Sequence, residues 1–102
     1  GGEGMMRILA YDYEMVALDI PFDQSSLLGR HNGPEGTIKI CMDQSKQCRI
    51  STVLHEVIES INWQLNLGLE EKQVIGLEVG LFAVARDNNI NLEMLVRDLE
   101  KK

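Results

Sequence analysis

The sequence predicts an α+β fold in which helices cover one face of a small antiparallel sheet of about three strands. Three observations carry this expectation. Residues 36–42 alternate apolar and polar side chains, the mark of a half-buried strand. Residues 45–65 repeat apolar positions at the helical period, and residues 74–85 are apolar nearly all round. Strand signals therefore come first and helix signals after them.

In chain order, residues 1–5 read as a cloning remnant, and 6–102 as one domain of ordinary globular composition. Met6 to Ile20 is too long for one strand, since strands average about five or six residues. A hairpin of strands 6–11 and 13–19, turning near Tyr11-Asp12, is expected; one long bent strand is the alternative. Pro21 ends the ladder because it lacks an N–H. Residues 21–35 then read as a loop, closed by the turn signal Asn32-Gly33-Pro34-Glu35-Gly36. In the 36–42 strand Ile38, Ile40 and Met42 point one way, and its single apolar face suits a sheet edge.

Asp43-Gln44-Ser45 offers N-cap chemistry for a helix from about Ser45 to Leu65. Its apolar stripe is Ile50, Val53, Leu54, Val57, Ile58, Ile61 and Leu65, with Cys48, His55, Glu59 and Asn62 on the opposite side. Asn66-Leu67-Gly68 ends it. Leu69-Glu70-Glu71 opens a second helix, its acids suited to the positive N-terminal dipole. Because Val74 to Ala85 is apolar all round except for Glu78, this helix is expected to be buried, Glu78 with it. Gly76 and Gly80, on the side away from Glu78, predict close packing against a neighbour, since glycine inside a helix costs about 1 kcal/mol relative to alanine. Asn91 caps a short C-terminal helix with Leu92, Leu95, Val96 and Leu99 as its stripe.

The chemistry concentrates in Thr52-Val53-Leu54-His55-Glu56-Val57-Ile58-Glu59. His55 and Glu59 stand at i and i+4, so an imidazole and a carboxylate aim at one point, and zinc accepts both. The pattern is that of the H-E-x-x-H zinc motif with its second His replaced by Glu. A hydrolytic site needs a third protein ligand and a base. Glu78, the lone acid of the apolar helix, is the best third ligand, and Glu56 holds the position of the general base. His31 could supply an imidazole in place of Glu78, although a surface loop histidine is the plainer reading. A His with two carboxylates is a harder ligand set than two His and one carboxylate, so zinc or another divalent ion fits.

Other classes are disfavoured. The formal net charge of −6 and scattered basic residues argue against nucleic acid. No apolar run reaches the roughly 18 residues of a membrane span and no secretory pattern is present, so a cytoplasmic setting is expected. Cys41 and Cys48 read as two free thiols.

Three segments, 36–40, 52–61 and 77–88, together resemble a group of small phage and prophage proteins that look like minimal zincin-type metallopeptidases. The resemblance spans about residues 6–88 and implies a zincin-like fold. It implies His55 as a metal ligand, Glu56 as the catalytic base, and Glu78 as the third Glu of a gluzincin arrangement. It also implies that the 36–42 strand is an edge to which a peptide substrate pairs. Where many relatives have His, this chain has Glu59. The alternatives are a degenerate, metal-free zincin fold kept for binding or regulation, and an acidic helical interaction protein whose Glu78 is solvated.

Overall fold

The computed structural model describes residues 4–19 and 28–100, with the Glu100 side chain excepted. The first two strands, β1 (Met5–Ile8) and β2 (Tyr11–Leu18), form the expected antiparallel hairpin. The turn falls at Leu9-Ala10 rather than Tyr11-Asp12, and Leu9 takes the left-handed conformation, φ 55°. Along β2, Tyr13 and Met15 face inward, and Glu14 between them is exposed.

The sheet has four strands and is mixed, which corrects the three-stranded antiparallel expectation. The extra strand, β3 (Gly29–Asn32), lies in the stretch read as loop. It pairs antiparallel with β4 (Thr37–Cys41) through the 33–36 turn, while β4 pairs parallel with β2. The spatial order is β1-β2-β4-β3. β4 is therefore an interior strand and not an edge, so the 36–42 stretch has no free edge to offer a peptide. Its burial agrees: Thr37, Ile38, Ile40 and Cys41 are all buried, as expected of a strand with neighbours on both sides. The strand beyond it is β3, which with β1 forms the two edges of the sheet.

Helix α1 (Lys46–Leu65) crosses one face of the sheet. Ser45 caps it by accepting the Cys48 N–H, and Asn66 closes it in the left-handed conformation. The core fills the space between them: Ile8, Tyr13, Met15, Ile38, Ile40, Ile50 and Val53, sealed by Val96 and Leu99. The last two come from a single 3-10 turn (Glu93–Val96) and the short helix α3 (Arg97–Glu100), where a C-terminal helix was expected.

Helix α2 (Glu71–Asp87) opens with the Glu70 N–H donating to Gln73 Oε1 and folds back along α1. Here the structure departs from the sequence. Of its side chains only Val74 and Ala85 are buried; Ile75, Leu77, Val79, Leu81 and Val84 are exposed. An apolar helix is buried on every side only where layers exist to cover it. Among the described residues, α2 has α1 on one side and nothing over the other. A Cβ added at Gly76 or Gly80 would meet no atom within 4 Å, so the close packing expected of them is absent among these residues.

Gly29 shows why β3 can lie close to α1. A Cβ there would stand 2.7 Å from Thr52 Cγ2 and 3.2 Å from Glu56 Oε2. Gly29→Ala is expected to lift β3 away from the helix and destabilise the protein by about 1–3 kcal/mol. Thr52→Ser, which removes the nearest methyl, should recover part of that loss. Urea unfolding of the single and double variants measures both; equal stability of Gly29→Ala and the parent would refute the contact.

Candidate metal centre at the α1–α2 seam

Because α2 runs back antiparallel to α1, the stripe Ser51, His55, Glu59 on α1 faces Glu71 and Glu78 on α2. The two nitrogens of His55 are used differently. Nδ1 lies 2.8 Å from Glu78 Oε1, and the other oxygen of that carboxylate accepts the Ser51 hydroxyl. Nε2 faces the opposite way, 3.5 Å from Glu59 Oε2 and 3.4 Å from Glu71 Oε2. The imidazole is largely enclosed, with 16% of its side chain exposed, and Glu78 with 18%. A solvated Glu78, which the acidic-interaction reading required, is therefore excluded.

His55 and Glu59 converge as the i, i+4 spacing predicts. Glu78, expected as the third ligand, stands instead on the far nitrogen, where it fixes the tautomer and orientation of the ring. The third convergent group is Glu71: one ligand atom each from His55, Glu59 and Glu71 lie within 4.8 Å of one another. Glu71 carries no motif of its own; in sequence it is an ordinary first-turn acid. The available signal was its spacing of seven from Glu78, which puts both on one helix face.

Ligands about 2.1 Å from a tetrahedral centre are separated from each other by about 3.4 Å. The distances from Nε2 to the two carboxylates, 3.4 and 3.5 Å, match that edge. The donor types fit as well, and the carboxylate on Nδ1 is the usual outer partner of a metal-binding histidine.

Electrostatics point the same way. Burial raises the Glu59 carboxyl above its ordinary value, and the hydrogen bond and negative charge of Glu71 push it further up, against the pull of His55. Two carboxylates sharing a site cannot both ionise freely. His55 is raised: burial opposes its charge, but the Glu78 hydrogen bond and the charges of Glu56 and Glu71 outweigh it.

Glu56, next along the helix from His55, is turned under β3 and only 6% exposed. Gly29 leaves room for its carboxylate, which accepts the His31 backbone N–H. Burial raises Glu56 to about 7, with Glu59 and Glu71 adding to the rise and His55 and the His31 N–H opposing it.

His31 is not a free loop residue but sits half-buried on β3. Its Nε2 is 3.0 Å from the hydroxyl of Tyr13, a fully buried residue that also accepts from Ser60 at 2.9 Å. The Tyr13 proton then has His31 Nε2 as its acceptor, so counting donors assigns a neutral His31 with its hydrogen on Nδ1. Burial lowers its pKa, in accord. With Nε2 engaged in this way, His31 does not join His55 as an Nε2 ligand. It lines, with Arg30, Asn62 and Trp63, a cleft of about 530 Å³ that opens onto His55, Glu59 and Glu71.

Cys41 is buried and Cys48 exposed, and neither is in a disulfide. No helix among the described residues is long and apolar enough to cross a membrane.

These shifts give a signed pH dependence for protein kept in chelator. Folded Glu56 holds its proton to about pH 7, whereas the ordinary value is 4.5. Between those values the folded state binds more protons than the unfolded one, so stability falls as pH rises, by on the order of 3 kcal/mol at most. The raised Glu59 acts in the same direction, and the raised His55 extends the loss above its ordinary value. Denaturant titrations from acidic to neutral pH should show the decline, and Glu56→Gln should make it shallower. Identical slopes for the parent and Glu56→Gln would refute a protonated, buried Glu56.

Comparison of the chain with protein families, with curated proteins and with solved structures found no match in any of the three.

Proposed function

We propose that this protein is a metal-dependent hydrolase of zincin-like design, acting on peptides, with His55, Glu59 and Glu71 as ligands of zinc or another divalent ion. The observation that carries the reading is His55 Nε2 facing two carboxylates at 3.4 and 3.5 Å while Glu78 holds Nδ1. The phage-type zincin resemblance supports it in the 52–61 segment, where His55 and Glu56 keep their roles. Glu71 takes the ligand place first given to Glu78.

An ion held there would supply Lewis acidity and a water of lowered pKa. The residues of the chain supply the rest. Glu56 is the general base: it adjoins His55, its carboxylate is fixed by the His31 N–H, and a pKa of about 7 suits proton transfer at neutral pH. Glu78 and Ser51 hold His55 in the orientation that presents Nε2. His31, with its proton on Nδ1, offers one N–H donor for oxygen charge developing on a substrate in the cleft. An extended peptide would pair with the outer edge of β3, which borders the cleft, and not with β4.

A second reading is a metal-free zincin-like module kept for binding or regulation. Its support is that Glu78 is already satisfied by His55 and Ser51, so no cation is needed to stabilise that carboxylate.

Metal binding by protein purified without a histidine tag separates the two. Titration calorimetry with zinc should show one ion per chain, lost in His55→Ala and Glu71→Gln. Glu78→Gln should retain the site with affinity lowered by about 10–100-fold. Glu56→Gln should bind the ion normally yet fail to hydrolyse a peptide mixture that the parent cleaves. No ion bound by the parent rejects the hydrolase; binding that survives Glu71→Gln and vanishes in Glu78→Gln rejects this ligand set.

A further inference from the structure

The outward face of α2 is the largest unexplained feature. At about 100° per residue, Lys72, Gly76, Val79, Gly80, Ala83 and Asp87 form one strip pointing away from α1, on the side opposite Val74, Glu78 and Ala85. Its middle is open: a Cβ at Gly76 or Gly80 meets nothing within 4 Å among the described residues, Val79 is 61% exposed, and Ala83 is half-buried. Along its flanks run Ile75, Leu77 and Val84, each about half exposed. From Val74 to Ala85 the helix carries one charge, Glu78, and that faces inward. A water-facing helix normally carries polar residues there, and contiguous apolar surface marks an interaction site.

The positions of the strip are symmetric about its centre, and the residues at paired positions are complementary. A two-fold axis crossing the helix between Val79 and Gly80 sets Lys72 against the second copy's Asp87, Gly76 against its Ala83, and Val79 against its Gly80. Small residues fall opposite small or β-branched ones, which lets two helices approach near the short end of the usual 8–10 Å separation. Each charge falls opposite its complement, twice over by symmetry. This is the self-complementarity that an isologous interface requires. The strip also carries no net charge although the chain carries −6, so two copies meet here without confronting their excess negative charge.

We infer that α2 is a homodimer interface: two copies pack their α2 helices antiparallel over Gly76, Gly80 and Ala83, with Lys72–Asp87 pairs at both ends. The pairing leaves the metal centre on the opposite side of each helix, so it stands or falls independently of the hydrolase reading.

The test uses charge reversal in the full chain, followed by sedimentation equilibrium. The parent should dimerise in the micromolar to millimolar range. Lys72→Asp and Asp87→Lys place like charges opposite each other at both ends, and each alone should weaken the dimer by about tenfold or more. Both changes suit the helix dipole, so folding is retained, and circular dichroism checks it. Mixing the two single variants should restore a dimer, now a heterodimer, and the double variant Lys72→Asp/Asp87→Lys should restore the homodimer. Val79→Asp should give a monomer. A monomeric parent overturns the inference. Dimers untouched by these substitutions also overturn it, by placing the interface elsewhere. Failure of the mixture to rescue excludes the antiparallel pairing.

Discussion

The arrangement of the site depends on one two-sided imidazole. His55 gives Nδ1 to Glu78 and thereby turns Nε2 toward Glu59 and Glu71. A carboxylate as enclosed as Glu78 would be strongly unfavourable alone. Hydrogen bonds from Ser51 and His55 satisfy it, and the same bond removes the rotational freedom of the ring. The group that stabilises the seam is thus also the group that aims Nε2. Four carboxylates, those of Glu56, Glu59, Glu71 and Glu78, surround this one ring; burial is the main cause that raises the Glu56 and Glu59 carboxyls, and the negative charge of Glu71 adds to both rises. An added cation would offset that negative charge directly.

A second constraint acts from the sheet side. β3 brings Gly29 against Thr52 and Glu56, closing over the Glu56 carboxylate without a side chain of its own in the way. The next inward-reaching groups on this strand are the His31 N–H, which binds Glu56, and the His31 ring, which is tied through Tyr13 and Ser60 to Gln64. Gln64 in turn bonds the Ile8 carbonyl in β1. A chain of hydrogen bonds therefore runs from the far edge of the sheet, across the core, to the cleft. The most distant strand helps set the tautomer of a cleft residue.

Much of this was legible in the sequence, and the gaps have physical causes. α1 was readable because twenty residues at one period leave little ambiguity, and β4 because its alternation is clean. β3 was not, since Gly29-Arg30-His31-Asn32 has no apolar rhythm; its extended form comes from pairing with β4. The edge assignment of β4 failed for the same reason, because an unseen strand occupied its outer side. For the site, His55, Glu56 and Glu59 follow from spacing within one helix. Glu78 was recognised as an acid that needs a partner, but sequence cannot say which nitrogen it meets. Glu71 depends on how the 66–70 connection folds α2 back, which no local pattern encodes. The exposed face of α2 was misread because an apolar run says what a helix could bury, not whether anything is there to bury it.

Trp63, the one tryptophan of the chain, lies at the junction of these parts. Its ring covers Gly33, where a Cβ would stand 2.4 Å from it, and meets His31 edge-on at 5.6 Å. It borders the same cleft as His55 and Glu71 and is 44% exposed. The molecule therefore carries its own fluorophore between β3 and α1. Emission from a single indole so placed responds to the polarity of the cleft and to the charge on the neighbouring imidazole. An occupant entering the cleft should register optically with no label attached.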